Sequence, residues 1–395
     1  MERRVVVTGL GLVTPVGNTV EEAWSALVAG KSGAARIQRF DPTPLDVQFG
    51  CEVKGFDPLA YMDRKEAKRC DLFAQYAMAA TVQAVTAAGL ADGFPAPERT
   101  GVLIGSGIGG IATFEEQCRI YIEKGPGRVS PFFVPMFIPD IASGLVAMRY
   151  GVTGPNFCTV SACASSAHAI GEAFRTIQRG DADVMIAGGA EAAITPLAIA
   201  GFANMKALSP RNDDPEHASR PFDKTRDGFV LGDGSGVVVL ESLEHATARG
   251  APILAEVAGF GMSADAYHMT QPAPEGRGAQ QAMRAALADA CIPVDRIAYV
   301  NAHGTSTPPG DVAETQALKA VFGPAARKLI FGSTKSMTGH LLGAAGGVEF
   351  AICTLVIERG VITPTINYGI THHIPSMPPY CQEPPMPRVK SSRLC

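Results

Sequence analysis

The chain carries the stretch ASSAHAIGEAFRTIQRGDADVMIAG at residues 164–188, and its pattern predicts a helix followed by a buried strand. The alanine-rich part from Ala164 to Arg179 places apolar residues at the 3.6-residue spacing of a helix. The part from Asp183 to Gly188 is a short apolar run that ends in glycine, which is typical of a strand buried on both faces. The same alternation recurs along the chain and predicts a layered α/β architecture.

Similar runs lie on both sides of this stretch. The other predicted strands are Arg4–Gly11, Gly101–Gly105, Val237–Leu240, Ile253–Gly259, Ile297–Gly304 and Leu329–Gly332. The other predicted helices are Leu72–Leu90, Ala279–Ala290, Val312–Phe322 and Leu341–Glu358. The glycine-rich segment Gly232–Gly236 lies between two apolar runs and predicts an antiparallel hairpin. The segments that begin at Val5 and Glu256 are weakly similar, which favours a duplicated fold.

The composition is that of a compact globular protein with little net charge. Of 395 residues, 46% are hydrophobic and 18% are charged, which is enough apolar material for a large core. Lysine and arginine number 34 and aspartate and glutamate 38, so no overall positive field would attract nucleic acid or an anionic membrane. The most apolar window, Val184–Phe202, contains Glu191 and Pro196 and predicts a strand and helix rather than a membrane span. We therefore expect neither nucleic acid nor a membrane as a partner.

The cysteines point to a reducing compartment. Nine of them are spread over the chain without a CxxC pair, which predicts neither a disulfide framework nor a structural zinc site. The apolar stretch that starts at Val5 is too short and too soon broken by glycine for a signal peptide. We expect a cytoplasmic protein.

One cysteine stands directly before the predicted helix, in Ser161-Ala-Cys163-Ala-Ser. The partial positive charge at a helix start favours a thiolate, and the small neighbours would leave the sulfur accessible. The alternative is a buried structural cysteine, which is the usual fate of this residue type. The placement makes Cys163 a candidate nucleophile.

Two histidines and a lysine stand just past the ends of predicted strands, where α/β sheets gather functional groups. One strand ends in Asn301-Ala-His303-Gly-Thr-Ser-Thr and the next in Gly332-Ser-Thr-Lys335-Ser-Met-Thr-Gly-His340. Alone, each histidine could be a hydrogen-bonded structural residue and the lysine a solvated surface charge. Together with a thiol they suit acyl transfer followed by carbanion chemistry. A thiolate accepts an acyl group from a thioester, and two imidazoles can stabilise the enolate formed when a carboxylate leaves as CO2.

These three motifs resemble the active-site motifs of the β-ketoacyl-acyl carrier protein synthases. The pair of histidines resembles the elongating class, synthase II, and the likeness runs from Arg4 to about Tyr368. The resemblance implies a thiolase-like fold whose duplicated halves form a five-layered αβαβα arrangement, and a homodimer. It divides the chain into a half at 1–250 with the nucleophile, a half at 251–368 with the histidine and lysine motifs, and a proline-rich, irregular tail at 369–395.

The resemblance also implies an activity. The protein would be an acyltransferase, a 3-oxoacyl-[acyl-carrier-protein] synthase that condenses acyl carrier protein (ACP) thioesters with malonyl-ACP in type II fatty acid elongation. Cys163 would be the nucleophile, His303 and His340 would support decarboxylation, and Lys335 would orient and polarise the site. The substrates are carried on the phosphopantetheine of ACP, and no metal or redox cofactor is implied.

Further residues follow from the same matching. Ile108 and Phe202 would line or gate the acyl pocket, Phe133 would be contributed across the dimer, and Thr270, Thr305 and Thr307 would lie near the pantetheine arm. For the three apolar residues, ordinary core packing is the alternative. Docking of the acidic ACP needs a basic patch, for which the candidates are Lys65, Lys68, Arg69, Lys124, Arg128 and Lys206. A solvated helix face is the alternative reading of the run Arg64–Arg69.

The resemblance stops at Tyr368. The family continues into a last strand with a glycine- and phenylalanine-rich loop that supplies an oxyanion donor, whereas this chain has prolines at 375, 378, 379, 384, 385 and 387. Proline cannot donate to a strand ladder, so a central strand is not expected there. We interpret the tail as altered or out-of-frame coding.

Four other functions remain as alternatives. The run Gly105-Ser-Gly107-Ile-Gly-Gly110 matches a dinucleotide-binding fingerprint, but the fingerprint needs an acidic residue at the end of a second strand about 20 residues on, and the segment Glu115–Lys124 has a helical pattern instead. A thiolase-like degradative enzyme would need a second cysteine in a Cys-x-Gly context, which Cys381 and Cys395 do not supply. A polyketide-type condensing enzyme, or an inactive chain-length or scaffold partner, is compatible with the altered tail.

Overall fold

Residues 2–369 are described by the structure, a computed structural model, and they form two β-sheets of unequal size and a short ribbon. Of the predicted tail, everything after Gly369 lies outside the described residues. The strands are β1 (Val5–Val13), β2 (Ala35–Arg36), β3 (Phe49–Gly50), β4 (Thr100–Gly105), β5 (Asn156–Phe157), β6 (Val184–Glu191), β7 (Gly234–Ser242), β8 (Ala255–Val257), β9 (Tyr299–Asn301) and β10 (Ile330–Gly332).

Helices connect and cover these strands. They are α1 (Val20–Val28), α2 (Arg64–Ala67), α3 (Leu72–Ala87), α4 (Ile111–Lys124), α5 (Phe133–Phe137), α6 (Ile141–Tyr150), α7 (Ser165–Arg179), α8 (Pro196–Asn204), α9 (Leu243–Ala248), α10 (Arg277–Asp289), α11 (Pro308–Phe322), α12 (Lys335–Thr338) and α13 (Ala345–Arg359). Within residues 2–369, no helix has both the length and the apolar character needed to cross a bilayer.

The large sheet has the strand order β5-β4-β6-β7-β1-β8. Strand β4 runs parallel to β5 and β6, whereas β7 is antiparallel to both β6 and β1. Every residue of β1, β4, β6 and β7 is buried, which explains their continuous apolar character in the sequence. The predicted helix and strand at residues 164–188 are confirmed as α7 and β6.

Five layers stack on one another. Helices α3 and α6 cover one face of the large sheet, and α7 and α13 cover the other face. The parallel pair β9–β10 lies beyond α7 and α13, because Tyr299 and Ile330 pack into the same core as Ile352 of α13. Leu287 of α10 and Leu318 of α11 cover its outer face. The order αβαβα is the one expected from the sequence.

The large sheet and its inner helices touch through glycine. A Cβ atom on Gly236 of β7 would lie 2.4 Å from the carbonyl carbon of Gly347 in α13, and one on Gly105 of β4 would lie 2.6 Å from the backbone of Ser165 in α7. Only glycine allows such an approach. The two helices are also joined to each other, since the backbone N–H of Gly347 donates to Oγ of Ser166 at 2.8 Å.

The hairpin predicted at Gly232–Gly236 is wrong. Phe229 before it forms an isolated parallel bridge with Leu208, and β7 begins beyond the first glycine and pairs with β1 and β6. The segment is buried instead of turning at the surface, and the fully buried carboxylate of Asp233 pairs there with Arg39 at 2.7 Å. The glycines here permit close packing of backbones and do not form a turn.

A buried carboxylate at the end of β6 holds two loops together. Glu191 has no exposed surface and accepts hydrogen bonds from the backbone N–H groups of Gly107 (2.7 Å), Ile108 (3.1 Å) and Gly343 (2.9 Å) and from Oγ of Ser106 (2.9 Å). The first loop follows β4 and the second leads into α13. Burial raises the pKa of this carboxyl group, and the donors oppose that shift.

We expect Glu191→Ala to destabilise the protein by about 3 kcal/mol or more, because each buried donor left without a partner costs about 1–3 kcal/mol. The measurement is denaturant or thermal unfolding of the full chain. Glu191→Gln retains one acceptor oxygen and should lose less, and Glu123→Ala on the exposed surface of α4 is the matched control. Equal stability of Glu191→Ala and the parent would contradict this role.

Candidate active site

The sulfur of Cys163 lies at the start of α7, as the sequence predicts. Residues Ala162–Ala164 form one turn of 3-10 helix directly before α7. Ala162 has a φ of 50°, a left-handed conformation that is strained for a residue with a Cβ atom. Oγ of Ser165 donates to the Ala162 carbonyl at 2.7 Å and accepts from the Ser161 N–H at 2.9 Å, which fixes the tight turn. The side chain of Cys163 is partly exposed.

His340 faces the cysteine. Its Nε2 lies 2.9 Å from Sγ of Cys163, which is hydrogen-bond distance. The backbone of His340 is clamped on both sides, because its N–H donates to the Val230 carbonyl (2.7 Å) and its carbonyl accepts from the Gly232 N–H (2.9 Å). The ring of Phe229 packs edge-on against the imidazole, with centroids 5.4 Å apart. The segment wrongly predicted as a hairpin therefore positions a histidine.

His303 completes the cluster from the end of β9. Its ring is nearly perpendicular to that of His340, with centroids 5.2 Å apart. Its backbone N–H and that of Gly304 donate to the two carboxylate oxygens of Glu314, at 2.6 and 2.7 Å. One donor atom from each of Cys163, His303 and His340 lies within 4.8 Å of the others.

Lys335 lies behind the cluster and is almost completely buried. Its Nζ forms an ion pair and hydrogen bond with the carboxylate of Glu349 in α13. A buried ammonium group requires such a partner, since a lone charge in the interior is strongly disfavoured. The sequence alternative of a solvated surface lysine is excluded.

Burial and the ammonium group set the proton affinities of the two imidazoles. Burial, followed by the charge of Lys335, lowers the pKa of His303 below its usual range. Burial, His303 and Lys335 together lower the pKa of His340 well below its usual range. Both rings are therefore neutral near pH 7 and can accept or share a proton.

The pKa of the Cys163 thiol differs from the one expected from the sequence. The helix start was expected to favour the thiolate, but burial dominates and raises the pKa of Cys163, with Lys335 opposing the shift. The sequence predicted the helix that follows Cys163, but it could not show how deeply the sulfur is buried, and burial decides the pKa. Neutral His340 at 2.9 Å is placed to take the thiol proton, so the pair can generate a thiolate when it is needed.

Three carboxylates at the site were missed from the sequence. Glu191, Glu314 and Glu349 are held by backbone N–H groups or by Lys335, and burial raises the pKa of each of them. The available signal was a single acidic residue inside a run of small or apolar residues, as in Ala-Gly-Gly-Ala-Glu191. Such residues are rarely buried unless they are paired.

Two of the predicted pocket residues lie near the cluster. Ile108 and Phe202 pack in one core region together with Leu342, two residues after His340. Phe202 contacts Phe229 edge-on with centroids 5.4 Å apart, and Phe229 in turn contacts His340. An apolar path thus leads away from the reactive atoms.

Phe133 lies elsewhere in the described chain. It belongs to α5 and stacks with Phe137 at a centroid distance of 5.8 Å, and it also lies near Phe114 of α4. The structure does not bring Phe133 to the cluster of its own chain. The expected contribution across a dimer stays a prediction.

The predicted threonines divide into two groups. Thr305 and Thr307 follow His303 directly, and their hydroxyl oxygens lie 3.0 Å apart. Thr270 lies on an exposed loop, where its backbone N–H donates to Nδ1 of His268 at 3.2 Å. The first pair adjoins the cluster, whereas Thr270 has no hydrogen bond to it within the described residues.

The predicted docking cations are all on the surface. The exposed residues are Lys65, Lys68, Arg69, Lys124, Arg128 and Lys206. The guanidinium of Arg69 lies 4.4 Å from the ring centre of Phe132, so the basic run at α2 adjoins an exposed aromatic side chain.

Comparisons with known proteins agree with this geometry over the whole described chain. The sequence profile of the beta-ketoacyl synthase N-terminal domain matches residues 2–246, and that of the C-terminal domain matches residues 254–369. The chain is 53% identical to 3-oxoacyl-[acyl-carrier-protein] synthase 2 of Synechocystis sp., over 93% of this chain and 88% of the relative. It is 54% identical to the protein of the same name from Vibrio cholerae, over 93% of this chain and 89% of the relative.

The fold of this chain is also similar to that of a solved ketosynthase structure. It is AntDE:AntF, a type II PKS acyl-carrier protein in complex with its ketosynthase bound to the hexaketide. It matches with a TM-score of 0.85 and 35% identity, over 96% of this chain and 92% of the other. The fold has the thiolase-like ketosynthase architecture, and the two family profiles together cover nearly all described residues. The chain therefore belongs to the beta-ketoacyl synthase family.

Proposed function

We propose that this protein is a 3-oxoacyl-[acyl-carrier-protein] synthase that elongates fatty acyl chains by decarboxylative condensation. The observation that carries the proposal is the pair formed by Sγ of Cys163 and Nε2 of His340 at 2.9 Å, with the ring of His303 beside it. A thiol next to a neutral base is the arrangement that covalent acyl transfer requires. The relatives named 3-oxoacyl-[acyl-carrier-protein] synthase 2 favour fatty acid elongation over a polyketide or scaffold function.

The first step transfers the acyl group. His340 takes the thiol proton, and the thiolate of Cys163 attacks the thioester carbonyl of acyl-ACP. The carbon–sulfur bond to the pantetheine breaks, the pantetheine thiol leaves with a proton, and an acyl-cysteine remains. Backbone N–H groups at the start of α7, next to Cys163, can donate hydrogen bonds to the developing oxyanion. The apolar path through Phe229 and Phe202 suits the hydrocarbon chain.

The second step forms the new carbon–carbon bond. Malonyl-ACP loses its carboxylate as CO2, and the electron pair of the broken bond becomes an enolate. His303 and His340 are neutral and can each donate a hydrogen bond to the enolate oxygen. The enolate attacks the acyl carbonyl, the thiolate of Cys163 leaves, and 3-oxoacyl-ACP is released. Lys335, held by Glu349, keeps a positive charge close to the developing negative charge.

These steps change no oxidation state, and we propose that the substrates arrive on the phosphopantetheine of ACP without a metal or redox cofactor. We propose that Thr305 and Thr307, which lie close to His303 in the chain, contact the pantetheine arm, and we propose the same role for Thr270. The exposed basic run at α2 is complementary to an acidic partner. The related ketosynthase solved with its acyl-carrier protein supports the same partnership here.

We also propose a homodimer. Strand β5 is at the edge of the large sheet, and an unpaired edge is a template for pairing with another chain. Apolar side chains are exposed around it, namely Phe132, Val134, Ile138, Met148, Phe157 and Val160. Pairing of two copies there would bury them and would bring Phe133 of each chain towards the other.

A cytoplasmic location is supported by the seven cysteines of the described residues, none of which forms a disulfide.

Cys163→Ala should abolish both acylation and condensation, because no other group replaces the attacking sulfur. Intact-protein mass spectrometry after incubation with acyl-ACP measures the adduct, and 3-oxoacyl-ACP formation is then followed after malonyl-ACP is added. Cys291→Ala removes an exposed cysteine beyond α10 and should retain both steps. Product formation by Cys163→Ala would refute the proposed function. An adduct without condensation would place a defect in the second step.

The pH dependence of the thiol follows from the direction of its shift. A raised pKa means that less thiolate is present at a given pH, so the alkylation rate of Cys163 should rise about tenfold per pH unit through pH 7 and 8. Peptide-level mass spectrometry after short exposure to iodoacetamide gives this rate. A rate that is already constant between pH 6 and 8 would contradict the raised pKa and would indicate a preformed thiolate–imidazolium pair.

Charge reversal at α2 should weaken use of carrier-bound substrates. The triple variant Lys65→Glu, Lys68→Glu and Arg69→Glu is expected to lower kcat/KM for malonyl-ACP by about tenfold or more at low salt. The rate with a short acyl-pantetheine thioester should hardly change, because that substrate does not need the basic surface. Lys328→Glu, at an exposed lysine outside this run, is the control. Equal losses with both kinds of substrate would contradict a docking role.

A further inference from the structure

The reactive cluster has a second chemical property besides nucleophilic catalysis. Cys163, His303 and His340 each offer one donor atom, and these three atoms all lie within 4.8 Å of one another. Among residues 2–369, this is the one group of three histidine, cysteine or acidic side chains with such spacing. One sulfur and two imidazole nitrogens form a ligand set that Zn²⁺ binds well, with a fourth position left for water.

The spacing is close to that of a tetrahedral ion. Zn–S bonds of about 2.3 Å and Zn–N bonds of about 2.1 Å place the donor atoms about 3.3–3.6 Å apart. Sγ of Cys163 and Nε2 of His340 are already at 2.9 Å and need to separate slightly. All three donor atoms lie within 4.8 Å of one another, so His303 has at most a short distance to move.

The surrounding charges tolerate a cation. The nearest ammonium group, Lys335, is paired with Glu349, and this carboxylate offsets part of its repulsion of a cation. Glu314 lies behind the backbone of His303 and contributes a further carboxylate. Binding would displace only the thiol proton of Cys163, which is released to solvent as metal sites with thiolate ligands require.

We propose that Zn²⁺ binds reversibly at Cys163, His303 and His340 and blocks the entry of acyl groups. The bound ion occupies the sulfur lone pair that would attack the thioester and the imidazole nitrogens that would handle the proton and the enolate. The binding goes beyond the proposed function and does not depend on it, whereas the inhibition rests on it. Zinc in this role is a regulator or a poison of the resting enzyme, and acylated Cys163 is protected because its sulfur is no longer free.

The test must distinguish zinc bound at this cluster from zinc bound by the residues after 369. The sequence after residue 369 contains His372, His373, Cys381 and Cys395, which can also bind zinc. The full-length chain with these four residues replaced by alanine is therefore the reference protein. Zinc content is measured after equilibration with zinc buffered by a chelator, and Co²⁺ is added separately to detect a thiolate-to-cobalt charge-transfer band.

The reference protein should bind one zinc per chain and show the cobalt band. Cys163→Ala in this background should weaken zinc binding by about 100-fold or more and abolish the band, and His303→Ala and His340→Ala should weaken binding too. Cys291→Ala should change neither quantity. Thermal unfolding of each variant shows whether it is folded, and His303→Ala alters the most exposed ligand and keeps the test valid if His340→Ala unfolds.

Two results would overturn the proposal: a reference protein that binds no zinc at micromolar free metal, or zinc binding that is unchanged in folded Cys163→Ala. Prior acylation of Cys163 with acyl-ACP should also prevent zinc binding. If zinc binds as expected but leaves condensation by the reference protein unaffected, the inhibitory role is wrong. If Cys163→Ala loses zinc and the parent shows no condensation at all, the proposed function fails and the metal site stands.

Discussion

The whole site depends on direct backbone contact between glycine residues of the large sheet and the first turns of two helices. At Gly236 and Gly105 a Cβ atom would lie 2.4 and 2.6 Å from the backbone of α13 and α7, so no other residue lets the layers approach so closely. The two helices begin side by side, linked through Ser166 and Gly347. Cys163 immediately precedes one helix and His340 precedes the other by one short turn. The sulfur-to-nitrogen distance is therefore set by layer packing more than by local loop structure.

The interior around the reactive atoms contains carboxylates that are held in place by hydrogen bonds or an ion pair. Carboxylates lie behind the loop after β4, behind His303 and behind Lys335, and each is satisfied by backbone N–H groups or by the ammonium group. In a medium of low polarity, such fixed groups hold their orientation while charge moves between thiol, imidazole and substrate. Burial keeps the imidazoles neutral and the thiol protonated at rest. The resting enzyme thus avoids a permanently exposed thiolate.

The sequence predicted the periodic and the chemically distinctive parts of this protein. Continuous apolar runs identified β4, β6 and β7, and the 3.6-residue pattern identified α3, α7 and α13, because burial of whole faces leaves a strong trace in sequence. Cys163 was predicted from its place before a helix, and His303 and His340 from their places after strands. The carboxylate partners were not, since a lone acidic residue in an apolar run, such as Glu349, indicates burial but does not identify the group it pairs with. The segment at Gly232–Gly236 was misread because glycine serves turns and close packing equally, and the thiol pKa depended on depth, which only the folded chain shows.

The cluster takes its parts from both family domains: Cys163 comes from the region that ends at residue 246, while His303 and His340 come from the region that begins at residue 254. Neither region contains a complete reactive pair. A newly made chain therefore lacks a base for its nucleophile until its two portions have folded together. A chain interrupted near residue 250 would yield two pieces without acyl-transfer activity, and the return of that activity on mixing would report directly that the pieces had assembled.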